Sequence, residues 1–140
     1  MALRLVMLAP AMPLDPEDII AVQALYARYN HAIHEGRGDS WAACFTPDGT
    51  FSNARESVHG AEALARYADD FSAGGTARYW IDNLVLAATP AGAEGSCYLI
   101  LLHISSGAQP PTVHLTGIYT DTLVKDGEWK FATRHIERDG

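Results

Sequence analysis

Positive charge is scarce in this sequence, and the few basic residues are scattered along it. Ten Lys and Arg residues stand against 17 Asp and Glu residues, which gives a formal net charge of -7 with the histidines neutral. Nucleic-acid-binding domains usually carry a clustered basic patch, and the sequence has no such cluster. The composition therefore argues against a nucleic-acid partner, and it shows no basic run that would hold an anionic substrate.

Cysteine, long apolar runs and the common catalytic motifs are equally scarce. Cys44 and Cys97 have no metal-type spacing and predict reduced, half-buried thiols. No stretch approaches the roughly 20 apolar residues that span a bilayer, and the short run from Leu5 to Ala9 is a poor signal peptide. Glycosidase carboxylate pairs, a nucleophile elbow and a phosphate-binding glycine loop are missing. We expect a cytoplasmic protein with no membrane association, no metal and no other cofactor.

The first part of the chain has the periodicity of a long helix. Asp15, followed by Pro16, is a suitable N-cap, and Gly36 is a suitable left-handed stop. Between them, one stripe at helical spacing points to a core: Val22, Leu25, Tyr26, Tyr29 and Ile33. Residues 1–15 would then form an N-terminal arm, and residues 16–140 a single domain.

Shorter elements follow this helix. Asp39 is predicted to cap a second helix, and "TPDGT" (46–50) predicts a turn before a short strand around Phe51. A third helix is expected from about Ala61 to Phe71, closed by Gly74 and Gly75. Three aspartates are assigned to solvent-facing positions: Asp69, Asp70 and Asp121.

The second half of the chain changes to the period of two that is typical of strands. Strands are predicted near 78–89, 95–106, 112–124 and 128–137, and "KDG" (125–127) predicts a hairpin turn. Three helices followed by a strand-rich half indicate an α+β domain, in which a strongly curved, mostly antiparallel sheet wraps the long helix.

Several stretches resemble the SnoaL-like branch of the NTF2-like superfamily. They are "LYARYNHAIHEGRGDSWAACFTPDGTF", "HGAEAL" and "GIYTDTLVKDGEWKF", and the resemblance spans roughly residues 17–137. It implies a cone-shaped, largely apolar pocket between helices and sheet that takes a cyclic or polyketide-like small molecule. It also implies a homodimer formed through the outer face of the sheet.

The nearest pattern within the superfamily is that of scytalone dehydratase and hexachlorocyclohexane dehydrochlorinase. Their paired catalytic Asp and His fall here on His34 and Tyr79, so the family's Asp–His dyad is replaced. A second pocket His falls on His103, and a pocket Tyr falls on Asn53. The resemblance therefore implies His34 as a base, Tyr79 and His103 as groups that polarise or protonate oxygen, and Asn53 as an orienting group.

Helical spacing separates the two histidines in "NHAIHEG". His31 lies nearly opposite the apolar stripe, whereas His34 lies on its flank. A metal site would need His31, His34 and Glu35 to converge, and two of the three point away from the core. His59, His114 and His135 are weaker candidates on loop, rim or sheet-surface positions.

Strand alternation gives the remaining pocket candidates. Leu99, Leu101 and His103 share one face, and on the next strand Thr116 and Ile118 are expected to face the same cavity. Tyr29, Trp80, Thr116 and Ile118 join Asn53 as predicted substrate-binding residues, although aromatic core packing explains Tyr79 and Trp80 equally well.

Two functions remain open at this point. One is a cofactor-independent acid–base enzyme of the dehydratase, isomerase or cyclase type, a lyase or isomerase acting on a cyclic, largely apolar molecule. The other is a non-catalytic ligand-binding or assembly module, such as a protein resembling an oxygenase small subunit. The missing dyad favours the module, and the titratable groups at predicted pocket positions favour the enzyme.

Overall fold

The computed structural model describes residues 12–71, 76–105 and 107–140. Within them the elements follow in the order α1 (Pro16–His34), α2 (Gly38–Ala42), β1 (Phe45–Ser52), β2 (Ser57–His59), α3 (Ala61–Phe71), β3 (Ala77–Thr89), β4 (Gly92–His103), β5 (Thr112–Asp126) and β6 (Glu128–Arg138). The predicted α+β class is confirmed.

These strands form one sheet in the order β2-β1-β6-β5-β4-β3. Every neighbouring pair is antiparallel except β1 and β6, which run parallel. Burial alternates along the strands: Leu99 and Leu101 of β4 are buried under the helices, whereas Tyr98 and Ile100 are exposed on the other side. The sheet thus has an inner face against the helices and an outer face left open.

Helix α1 supplies much of the core, as its apolar stripe predicts. Pro16 is its first residue, Gly36 adopts a φ of 71° just beyond its end, and all five predicted stripe residues are buried. Tyr26 and Tyr29 each pack edge-on against Phe131 of β6, with ring centroids 5.1 and 5.6 Å apart. The aromatic residues of α1 therefore fasten the helix to the centre of the sheet.

Helix α2 begins two residues earlier than expected, and Asp39 does not cap it. Arg37 occupies the N-cap position, and Asp39 lies within the first turn. The backbone N–H of Gly38 instead donates to Asp69 Oδ1 at 3.0 Å, so a carboxylate that looked solvent-facing joins α3 to α2. A Cβ at Gly38 would lie 2.3 Å from the Ala65 carbonyl oxygen, and this close approach requires glycine.

The four long strands agree with the sequence pattern to within three residues at each end. Gly127 forms the predicted hairpin turn with a φ of 73°. The "TPDGT" stretch differs from prediction because it lies within β1, where the pairing with β6 shifts register between Phe45 and Thr50. The Pro-Asp-Gly sequence therefore makes β1 irregular and does not end the strand.

Some predicted features lie outside the described residues: positions 1–11 of the N-terminal arm, the closing glycines Gly74 and Gly75, and the predicted strand end at Ser106. Among the described helices, none is long and apolar enough to cross a membrane.

Candidate functional site

A cavity opens between the helices and the inner face of the sheet. Its empty volume is about 390 Å³ when the solvent-filled space at its mouth is included. The centres of water molecules can occupy about 30 Å³ of this volume. The space is therefore a narrow slot. Its apolar walls come from α1, β1, α3 and the sheet: Ile33, Phe51, Phe71, Leu99, Leu101, Leu115 and Ile136.

The polar groups of the cavity wall are mostly hydrogen-bond donors. They belong to Tyr29, Trp41, Asn53, Tyr67, Tyr79, Tyr119 and Arg138. Among the described lining residues there is no histidine and no carboxylate. The cavity thus offers phenol, indole, amide and guanidinium groups to a ligand, and these groups favour oxygen acceptors.

Burial keeps the phenols of the cavity protonated. It raises the pKa of Tyr79, an effect that the nearby Tyr119 and Tyr67 increase. Burial likewise raises the pKa of Tyr119 to about 12, although the neighbouring Arg134 opposes this. Burial also raises the pKa of Tyr29, whose hydroxyl hydrogen-bonds to that of Tyr119. At neutral pH these phenols donate hydrogen bonds and do not act as bases.

Two cavity donors have unused capacity. Trp41 is fully buried, and its Nε1 has no hydrogen-bond partner within the described part of the chain. Asn53 uses its Oδ1 to accept the backbone N–H groups of Arg55 and Glu56 at 2.8 and 3.1 Å. Its amide nitrogen is therefore left to donate elsewhere.

A buried ion pair lies beneath the cavity. Arg134 Nε is 3.1 Å from Asp121 Oδ1, and neither side chain is exposed. The guanidinium carbon lies 3.5 Å from the ring centroid of Tyr119 and 4.4 Å from that of Tyr29, both of which line the cavity. The Tyr26 hydroxyl donates to Asp121 Oδ2 at 2.6 Å. Asp121 was predicted to face solvent, and that prediction is wrong because its carboxylate pairs with Arg134 and accepts a hydrogen bond from Tyr26 inside the core.

The structure brings three of the predicted site residues to the cavity. Tyr29 of α1, Tyr79 of β3 and Asn53, just after β1, all line it. Their catalytic or binding roles stay predictions. The apolar stripe of α1 predicts the inward position of Tyr29, whereas Tyr79 and Asn53 were identified through the family resemblance.

His34 lies outside the cavity wall, in a surface groove between α1 and β3 that Tyr79 and Trp80 also line. Its Nδ1 donates to the Ala77 carbonyl oxygen at 2.6 Å, which leaves Nε2 as the acceptor in the neutral ring. Trp80 is exposed and follows Tyr79 on the strand, so its side chain lies on the other face. The expectation that Trp80 lines the pocket is wrong for that reason.

His103 also fails to reach the cavity. By alternation it belongs to the same face as Leu99 and Leu101, but it is the last residue of β4 and is exposed beyond the lining. Ala77, whose carbonyl holds His34, is its partner in the sheet register. His34 and His103 therefore meet at the same end of β3 and β4, outside the cavity.

Thr116 and Ile118 lie on the outer face of β5, contrary to expectation. The inner face belongs to Leu115, Gly117 and Tyr119. The register shifts between Leu101 and Leu102 of β4, which leaves His114 as an extra residue on β5. The presence of Asp121 among the odd-numbered residues had made that set look like the solvent face.

Sequence reasoning missed several cavity residues, above all Trp41, Tyr67, Tyr119 and Arg138. Tyr119 was missed through the face error on β5. On β6, Ile136 and Arg138 follow the buried Phe131 and Arg134, and this alternation of faces could have identified Arg138 as a cavity residue. The signal was obscured because the same series contains a buried arginine, Arg134.

The described residues show no group of three or more His, Cys, Asp or Glu side chains that would hold a metal ion. His31 Nδ1 lies 3.8 Å from Glu35 Oε1 on the exposed side of α1, and Arg37 also pairs with Glu35. The two histidines of "NHAIHEG" thus have different partners, Glu35 for His31 and the Ala77 carbonyl for His34, although both line the groove between α1 and β3.

Comparison with known proteins gives the family. Residues 15–135 match the model of the SnoaL-like domain, and the chain belongs to this family. The SnoaL-like resemblance of the sequence is thereby confirmed. No protein of curated function matches the chain significantly.

Three solved structures illustrate the likeness. Rv3472 of Mycobacterium tuberculosis, a protein of unknown function solved as a point variant, is 31% identical, with a TM-score of 0.81 over 89% of this chain and 78% of that one. A Catenulispora acidiphila protein in complex with S-DNPA is 27% identical, with a TM-score of 0.79 over 89% and 96%. A Novosphingobium aromaticivorans protein whose name relates it to scytalone dehydratase is 21% identical, with a TM-score of 0.74 over 89% and 85%, and shares the fold.

Proposed function

We propose that this protein binds a flat, largely apolar ring compound that bears a carbonyl or phenolic oxygen, in the cone-shaped cavity between helices and sheet. The observation that carries this proposal is the lining itself. Apolar walls surround phenol, indole and amide donors, and one buried indole N–H has no partner among the residues that the structure describes. A related protein from Catenulispora acidiphila that is solved with a bound small molecule supports it.

The test uses a neutral probe and two matched tryptophan variants. Leu101→Trp fills the cavity from β4, whereas Ile100→Trp places the same ring on the outer face, one residue away. We expect isothermal titration of 2-naphthol to show binding to the wild type and to Ile100→Trp, and none to Leu101→Trp. Leu115→Phe is a milder filling variant if Leu101→Trp does not fold. Equal binding to all variants would place the ligand elsewhere and refute the proposal.

A second candidate is the acid–base enzyme, with His34 as its base. The observation that favours it is the hydrogen bond from His34 Nδ1 to Ala77, which leaves Nε2 unprotonated in the neutral ring. Tyr79 lines both the His34 groove and the cavity, so a ligand polarised by Tyr79 would extend toward His34. His34 would take a proton from the carbon next to a carbonyl, while Tyr79 would donate to the resulting enolate oxygen. His103 would assist at the same end of the sheet.

This candidate is testable without the natural substrate. In deuterated water, an enolising enzyme would exchange the protons next to the carbonyl of 2-tetralone, which proton NMR measures directly. We expect His34→Ala to slow the protein-catalysed exchange by about 10²–10⁴-fold, and His59→Ala, exposed on β2 at the opposite edge of the sheet, to leave it unchanged. A loss of less than about threefold, far below that range, would remove His34 from the mechanism.

We further propose that the protein is a homodimer formed through the outer face of the sheet. Trp80 stands directly opposite Ile100, and Tyr98 directly opposite Ile118, so four exposed apolar side chains form one continuous patch on β3, β4 and β5. A patch of this kind marks an interaction surface. A second copy is the occupant that fits, because a two-fold axis pairs the same apolar patch with itself.

A further inference from the structure

The mouth of the cavity carries one ionised side chain among the described lining residues, that of Arg138. From it we infer that the natural ligand is an acid, a flat apolar ring compound bearing a carboxylate that binds Arg138. This inference rests on the proposed binding function and adds the charge of the ligand to it. The scattered basic residues of the sequence gave no sign of such a site.

Arg138 is available for a ligand. It ends β6, is exposed, and has no ion-pair partner among the residues that the structure describes. Its neighbour Asp139 is engaged elsewhere: Asp139 Oδ2 accepts the hydroxyl of Thr116 at 2.7 Å, and its backbone N–H donates to the Thr116 carbonyl oxygen at 2.9 Å. A guanidinium presents a planar fork of donors that matches the two oxygens of a carboxylate.

The cavity wall supplies a second, independent requirement. The buried Nε1 of Trp41 has no acceptor within the described residues, although buried donors are almost always satisfied. A ligand with a carbonyl or phenolic oxygen at its inner end and a carboxylate at its outer end satisfies both groups. The amide of Asn53 lies in the same wall and adds a neutral donor.

The net charge of the whole protein gives a further argument for Arg138 as the site that binds the carboxylate. With a formal net charge of -7, the chain repels anions at long range. An acid is therefore retained only where a local cation offsets that repulsion, and among the described lining residues Arg138 alone supplies it. Binding of the acid should consequently weaken with added salt, because Arg138 is exposed and its charge is screened.

The experiment compares 2-naphthoate with its methyl ester by isothermal titration. We expect the wild type to bind the acid about tenfold more tightly than the ester, since a hydrogen bond to a charged group is worth more than a neutral one. Arg138→Gln should abolish this preference while ester binding remains. Arg138→Lys, which keeps the charge but not the planar fork, should retain part of it. The matched control is Arg66→Gln, which removes an exposed arginine outside the cavity lining.

The outcomes separate this inference from the proposed function. If the wild type binds acid and ester equally, the cavity binds ligands but the acid inference is wrong. It is also wrong if Arg138→Gln keeps the preference, or if Arg66→Gln loses it to the same extent. If neither probe binds the wild type, both the inference and the binding function that it rests on are overturned.

Discussion

Arg134 shows how one residue shapes the site without lining it. Its guanidinium packs against four aromatic rings and pairs with Asp121 in the core. Two of those rings, Tyr29 and Tyr119, form part of the cavity wall. A charge with five donors buried among aromatic residues is costly unless it is paired, so the pair holds these rings in a single arrangement.

The coupling between Arg134 and Asp121 is measurable by a double-mutant cycle. At pH 8, where Asp121 is ionised, we expect Asp121→Ala and Arg134→Met each to lower the free energy of unfolding by about 3–5 kcal/mol, because each leaves a buried polar group uncompensated. The double variant should lose much less than the sum of the two. Urea unfolding gives the three values, and Lys125→Met, which removes the exposed ion pair with Asp18, serves as the control with a far smaller effect. Additive losses would contradict a coupled pair.

The titration of Asp121 gives a second prediction at this scale. Burial raises its pKa from 3.8 to about 6, although Arg134 and the Tyr26 hydroxyl oppose the rise. Because the folded pKa lies above the unfolded value, the protonated carboxyl favours the folded state below pH 4, and this contribution is lost as the pH rises to about 6. Carboxyl ¹³C NMR should show Asp121 titrating near 6. A midpoint at or below 4 would contradict this account.

At the scale of elements, the contact of α2 with α3 depends on Gly38. Its backbone N–H binds Asp69, and its Cα approaches the Ala65 carbonyl oxygen too closely for a side chain. We expect Gly38→Ala to lower the free energy of unfolding by about 1–3 kcal/mol through overpacking. Ser40→Ala, exposed on the same helix, should stay within about 0.5 kcal/mol of the wild type. Thermal unfolding measures both, and an unchanged Gly38→Ala variant would refute the packing argument.

The same elements show what a sequence can and cannot predict. The apolar stripe of α1 and the alternation of β3 to β6 are local signals, so they placed the helix, the strands and the buried Tyr29 correctly, whereas Tyr79 was identified through the family resemblance. The inner face of β5 depends on a bulge at His114 and on a buried partner for Asp121. Both arise from pairing between distant segments, which a local period does not encode. Thr116 and Ile118 were misplaced for this reason, whereas the expectation for Trp80 conflicts with the local alternation itself, because Trp80 follows Tyr79 on β3.

In the whole molecule the two faces of the sheet differ, because the helices cover the inner face and leave the outer face exposed. If the outer face is the dimer interface, Tyr98→Lys should make the protein monomeric, because it places a charge in the centre of the apolar patch. Ala24→Lys, exposed on α1, should leave the dimer intact. Sedimentation velocity distinguishes the two masses. A monomeric wild type would contradict the proposed dimer.

The cavity accounts for how a chain without the family's Asp–His dyad still has a chemically defined site. Under the proposed function, its donors bind an oxygen acceptor and its walls accept a flat apolar ring, and His34 in the neighbouring groove is the base of the second candidate. Ligand recognition and proton transfer are thus separable properties of this molecule, and their variants, Leu101→Trp and His34→Ala, test them separately.

The most direct test of the cavity is the ¹⁵N–¹H spectrum of the three indole N–H groups during titration with 2-naphthol. Trp41 lines the cavity with an unpartnered Nε1, Trp129 donates its Nε1 to Asp18 at 2.9 Å, and Trp80 is exposed outside the cavity lining. We expect the Trp41 resonance to move downfield as it gains an acceptor, while the other two stay in place. Movement of the Trp80 resonance with Trp41 unchanged would put the ligand on the surface and contradict the account.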